Sequence, residues 1–182
     1  MLEFDIDYGQ IVELQDQLGA SERQIEMAFG RALNRTAATL RRMSSKGLKD
    51  ELQLRNAGAI RKRLRTIKLK KGRYLDAVKL WYGTNDLPVS AFKGTPKKTA
   101  KGASFRGQDF PGSFISKGRD GKRTIFKRVG SGRLPIVEQT MPVKDKMDIF
   151  LEDQIFTEID TIFFKHFAAD LRARTIYGAG RK

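Results

Sequence analysis

Cysteine is missing from this 182-residue chain, so neither a disulfide framework nor a thiolate metal site can be built, and a cytosolic, metal-free life is the simplest reading. No apolar run approaches the roughly 20 residues that span a bilayer, and the N-terminal MLEFDIDYGQ lacks the basic and apolar regions of a secretory signal. A soluble protein is expected. Acidic residues are scarce beside basic ones, 21 Asp and Glu against 36 Lys and Arg, which leaves a formal net charge of +15 and a pI near 10.2. That excess is more than solubility needs and implies an anionic partner. Apolar residues still make up 40 % of the chain, too many for a disordered protein. The length suits one domain spanning 1–182, and no internal repeat is visible.

Charge is distributed unevenly. Residues 1–20 carry Glu3, Asp5, Asp7, Glu13 and Asp16 with no Lys or Arg, and read as an acidic arm: a short strand at FDI, then a helix over IVELQDQL ended by Gly19. Ser21 and Gln24 have capping-box spacing. Behind them Ile25, Ala28, Phe29, Ala32, Leu33, Ala37 and Leu40 recur at three and four residues, which predicts a long helix to about residue 52. A second, basic helix is expected at 57–66, with Ile60, Leu64 and Ile67 as its apolar stripe. YLDAVKLWYG alternates like a strand. Pro88, Gly94, Pro96, Gly102 and Gly107 mark a long loop, basic over 93–109, and 177–182 reads as a flexible tail. FISKGRDGKRTIFKRV is a hairpin with Asp120-Gly121 at its turn, and LPIVEQTM a further strand. From Val143 onward Met147, Leu151, Ile155, Ile159, Phe163 and Phe167 advance by four along a long C-terminal helix. The fold class is therefore α+β, with a small, mainly antiparallel sheet between the long helices.

Little in the sequence supports catalysis. His166, the only histidine, stands four residues before Asp170, a spacing that lets a carboxylate orient an imidazole, but no nucleophile or second ligand is near it in sequence. Asp145, Asp148, Glu152 and Asp153 could gather around Mg2+, yet Lys144 and Lys146 interrupt them and a solvated helix face explains them as well. GRDGKRT lacks phosphate-loop spacing and sits in a hairpin. Asn34-Arg35-Thr36 matches a glycosylation sequon that a chain without a secretory signal never uses. No enzyme, cofactor or metal is expected.

The basic segments are the strongest signal. RKRLRTIKLKKGR places Arg61, Lys62, Arg63, Arg65, Lys68, Lys70, Lys71 and Arg73 within residues 61–73 without an acid between them. Positive charge recurs at Lys122, Arg123, Lys127 and Arg128 on the hairpin. Such residues neutralise phosphates without reading sequence, and they equally suit an acidic protein surface. The apolar zone of the last helix is wide, and Phe150, Phe156, Phe163, Phe164 and Phe167 are candidates for a subunit interface.

ALNRTA at 32–37, IRKRLR at 60–65, LPVSAFKG at 87–94, FPGSFISKGRDGKRTIFKRVG at 110–130 and RLPIVEQTMPV at 133–143 occur in an order that resembles the minor tail protein Z family of tailed bacteriophages and prophages. The likeness covers about residues 25–145 and, more loosely, the C-terminal helix. It implies a non-enzymatic virion protein, made in the bacterial host cytoplasm, that acts in tail completion and head-tail joining at the neck. It further implies a homo-oligomeric ring, commonly of six, with tail terminator, tail tube or neck proteins as neighbours and the double-stranded genome end as a possible contact of the basic segments. The alternatives are a sequence-independent nucleic-acid-binding protein and a transient tail-assembly factor.

Overall fold

The structure, a computed structural model, describes residues 7–71 and 74–178. In chain order its elements are α1 (Tyr8–Leu18), α2 (Glu22–Glu51), α3 (Gly58–Arg61), β1 (Leu64–Lys71), β2 (Tyr74–Tyr82), β3 (Leu87–Pro88), a 3-10 turn (Val89–Ala91), β4 (Lys97–Thr99), β5 (Gly102–Phe105), β6 (Gln108–Pro111), β7 (Ser113–Lys117), β8 (Arg123–Arg128), β9 (Ile136–Glu138), β10 (Thr140–Met141), α4 (Lys144–Phe150), a π-turn (Leu151–Ile155), a 3-10 turn (Phe156–Glu158) and α5 (Ile159–Thr175). The α+β class expected from the sequence is the one observed. The chain divides into two compact units.

The first unit comprises residues up to Ser44, Leu64–Tyr82 and the chain from Leu151 onward. Local chemistry sets its helix ends. Asp7 caps α1 by accepting from the Gly9 amide, and Gly19 ends the helix in the left-handed region at φ 55°. The expected capping box is formed: the Ser21 amide donates to Gln24 Oε1 at 2.9 Å while the Gln24 amide donates to Ser21 Oγ at 3.4 Å. Ala28 and Ala32 are fully buried, and these small residues admit the large rings of α5. Phe163 and Phe167 stack with centroids 5.8 Å apart and planes 8° apart, and Phe29 meets Phe163 edge-on at 5.4 Å. Each such buried ring contributes about 2–3 kcal/mol through transfer from water alone. β1 and β2 form a two-stranded antiparallel ribbon in which Arg65 faces Trp81 and Ile67 faces Lys79.

The second unit comprises Ser45–Arg63 and Gly83–Phe150. It holds two three-stranded antiparallel sheets, β4-β5-β6 and β7-β8-β9, and the short pair β3-β10. Leu48, Leu54, Ile60, Leu87, Val89, Ile125, Val143 and Met147 are its most deeply buried side chains. Arg106 ties the end of α2 to the sheets. Its guanidinium donates to the carbonyls of Leu52 at 3.0 Å, Gln53 at 3.2 Å and Lys93 at 3.0 Å, and lies over the rings of Phe92 and Phe105. A cation placed on the terminal carbonyls also complements the helix dipole.

Two expectations need correction. The basic second helix is present only as the single turn α3, and residues 64–71 are strand, not helix. The stripe Ile60, Leu64, Ile67 fits a helical period, but Thr66 and Ile67 are β-branched and the antiparallel partner Tyr74–Tyr82 completes the backbone bonding. The basic stretch 93–109, expected as one loop, contains β4, β5 and the start of β6, because its glycines form turns at positive φ between short strands. The expected long C-terminal helix is found over 144–175, with a π-turn and a 3-10 turn within it. A stripe advancing by four drifts around a helix of about 3.6 residues per turn. The π-turn winds more residues into each turn, so Leu151 and Ile155 both stay buried. The FDI strand lies outside the described residues.

Candidate partner-binding surface

The ribbon β1-β2 presents one face inward, through buried Leu64 and half-buried Thr66, Leu80 and Tyr82. On that side the Tyr82 hydroxyl lies 3.1 Å from Ser44 Oγ, and burial raises its pKa above the ordinary value. Alternation along a strand sends Arg65, Ile67, Lys79 and Trp81 to the opposite face. Ile67 is 47 % exposed and Trp81 49 %, and the Arg65 guanidinium lies over the indole at 5.8 Å. Lys68 is exposed as well. Among the described residues no acid forms a salt bridge with Arg65, Lys68 or Lys79. The ribbon thus carries cations flanked by accessible apolar surface.

The other candidate cations have different positions. Lys70 and Lys71 are at the end of β1, and Arg73 lies outside the described residues. Arg61 and Lys62 are exposed at and just after α3. Arg63 is drawn into structure, donating to the carbonyl oxygens of Asn85 and of Asp86, the latter at 2.9 Å. Lys122 pairs with Asp120 at 3.1 Å across the hairpin turn. Arg123, Lys127 and Arg128 are exposed on β8. Arg128 donates to the Arg133 carbonyl at 2.7 Å and lies over Phe114. The structure therefore separates the basic residues into a ribbon, with Arg65 and Lys68, and a hairpin strand, with Arg123, Lys127 and Arg128.

The aromatic candidates separate too. Phe163 and Phe167 lie in the core of the first unit, so at these positions the chain's own α2 accounts for the apolar width. Phe164 is partly buried against the same core. Phe156 meets Tyr82 edge-on at 6.2 Å. Phe150 is half-buried with its ring against Gly47, where a β-carbon would collide with it.

No catalytic constellation is assembled among the described residues. Asp170 is taken by Arg31 and Arg174, while His166 Nε2 lies 3.3 Å from Thr39 Oγ1. Burial, then the charges of Arg35 and Lys165, push the imidazole pKa below its ordinary value. No group of three metal-ligating side chains occurs there, and no helix is long and apolar enough to cross a membrane. Sequence reasoning missed Trp81 and Lys79 as partners of Arg65 and Ile67. Period-2 alternation on both sides of Gly72 is the signal that could have paired them.

Residues 15–175 match the family model described as prophage minor tail protein Z (GPZ). No curated protein and no solved structure matches the chain.

Proposed function

Because the chain belongs to the prophage minor tail protein Z family and is thereby a structural protein of the phage tail, located in the virion, we propose that it completes the tail at its head-proximal end. It acts there as a subunit of a ring, of six copies, that joins tail to head through assembly rather than catalysis. The observation that carries this reading is the family match across residues 15–175. The positive charge of Arg65, Lys68 and Lys79 on the ribbon, which form no salt bridge among the described residues, supports a contact with the genome end held in the neck. We assign that contact to these three side chains, which are exposed.

The test is an electron-microscopic reconstruction of purified particles. Closed-ring density for this chain between head and tail is the expected result. Its absence from mature particles would overturn the joining role and leave a transient assembly factor.

A further inference from the structure

Among the described residues β9 is the outermost strand of its sheet and pairs only with β8, so no described strand lies along its second edge. Ile136 and Val137 of β9 are 38 % and 50 % exposed, and Leu134 just before it and Val129 just after β8 are exposed at 71 % and 55 %. An apolar edge left open is a template for another strand. The register assigns its two faces. Ile136 lies opposite Arg128 and Glu138 opposite Phe126 on one face, whereas Val137 lies opposite Lys127 on the other. Glu138 is already committed, accepting from the Ser90 amide at 3.0 Å and the Thr124 hydroxyl at 2.5 Å. Lys127 and Arg128 lie on β8 opposite β9, Arg123 lies at the start of β8 and Arg133 shortly precedes β9, and none of them forms a salt bridge among the described residues.

One segment of the same sequence has the complementary pattern. In LEFDID, residues 2–7, Leu2, Phe4 and Ile6 alternate with Glu3, Asp5 and Asp7, and no cation occurs before Arg23. As an added strand this segment has an apolar row and an acidic row on opposite faces. Laid beside β9 with its apolar row on the Ile136 face, the segment turns its acidic row to the face that carries Val137 and, one strand further, Lys127. We infer that the edge of β9 receives residues 2–7 of a second copy of this chain as an added strand. A copy that lends its arm to one neighbour and its edge to the next makes a head-to-tail contact, and such contacts form a ring when the rotation between copies closes. This deepens the ring reading by naming its contact, but the strand exchange is a property of the protein alone and does not depend on where in the virion it sits.

The natural absence of cysteine makes the test direct. Phe4→Cys protein is mixed with protein carrying Leu134→Cys, Ile136→Cys or Val137→Cys, and mildly oxidised. Ile149→Cys, also exposed at 60 %, is the control, with circular dichroism confirming that each variant is folded. The expected result is a disulfide-linked pair of different chains with at least one edge variant, in excess over the control and diminished by high salt. No excess over the control at any edge position overturns the inference. So does a Phe4→Cys, Ile136→Cys double variant that links only within one chain. Cross-linked copies combined with particles lacking neck density would sink the joining role and leave the strand contact standing, while a neck ring without cross-links would do the reverse.

Discussion

Asp170 and Arg174, both buried, are joined across one turn of α5 by a 2.6 Å contact between Arg174 Nε and Asp170 Oδ2. Arg31, more than half exposed, reaches the other carboxylate oxygen at 3.2 Å. Removing one member of a buried pair strands the other, so Asp170→Ala is expected to destabilise the fold by about 3–5 kcal/mol. Arg31→Ala removes only a solvent-screened partner and should cost less than about 1 kcal/mol. Denaturant unfolding of the two variants checks the contrast; equal losses would show that the pair is not the buried anchor.

Arg106 combines an unfavourable backbone with a favourable side chain. Its φ is 51°, where an L-residue is strained, yet its fork binds carbonyls of Leu52, Gln53 and Lys93. Arg106→Ala loses the fork and keeps the strain, whereas Arg106→Gly loses the fork and relieves it. Both should destabilise, with glycine the milder by about 1 kcal/mol. Thermal unfolding that ranks alanine as the milder change would count against the strained turn.

Gly102 offers a stricter backbone test. At φ 149°, an added β-carbon would run into the Phe110 carbonyl oxygen and come within 3.1 Å of the Gly112 and Ser113 amide nitrogens. These are backbone atoms of and beside β6, and they cannot turn aside as a side chain can. Gly107, at φ 83°, meets open space, so Gly107→Ala should cost only the backbone strain of about 1 kcal/mol, whereas Gly102→Ala adds the collision and should cost at least about 2 kcal/mol. Comparable midpoints for the two variants would refute the steric argument.

What was legible in the sequence was local. The Ser21-Gln24 capping box, the Gly19 helix end and the Asp120-Gly121 hairpin each depend on a few neighbouring residues, and each is found. β1 was not legible as a strand, because Ile60, Leu64 and Ile67 fit a helix until a pairing partner is supplied. The β4-β5-β6 sheet was hidden for a related reason. Its strands have three or four residues each, and they gain order from distant contacts such as those of Arg106 with the end of α2. The candidate surface was legible as charge but not as geometry. Alternation along β1 could not select the exposed face without Trp81 and Lys79 opposite.

His166 gives the stability a predictable pH dependence. Its pKa in the fold lies below the ordinary 6.5, because burial and the charges of Arg35 and Lys165 disfavour the imidazolium. The unfolded chain then binds the proton more readily. This contribution to stability is fully present above the unfolded pKa, falls as pH drops through it, and levels off below the folded value. Urea midpoints measured from about pH 8 down to about pH 5 should fall less steeply in His166→Gln than in the parent. Identical slopes would mean that the imidazole environment does not distinguish folded from unfolded chain.

The proposed contact between the ribbon and the genome can be tested quantitatively. A cation that neutralises a phosphate releases a counterion, so affinity for duplex DNA should fall linearly with salt on logarithmic axes. Replacing Arg65, Lys68 or Lys79 singly with Gln should lower the magnitude of that slope by about one for each residue that touches a phosphate. These side chains are exposed and form no salt bridge among the described residues, so the substitutions should leave thermal stability nearly unchanged. Fluorescence anisotropy with a labelled duplex over a salt series reads the slope directly. Variants that retain the parental slope would exclude the ribbon as the DNA contact and shift that assignment to the cations of β8.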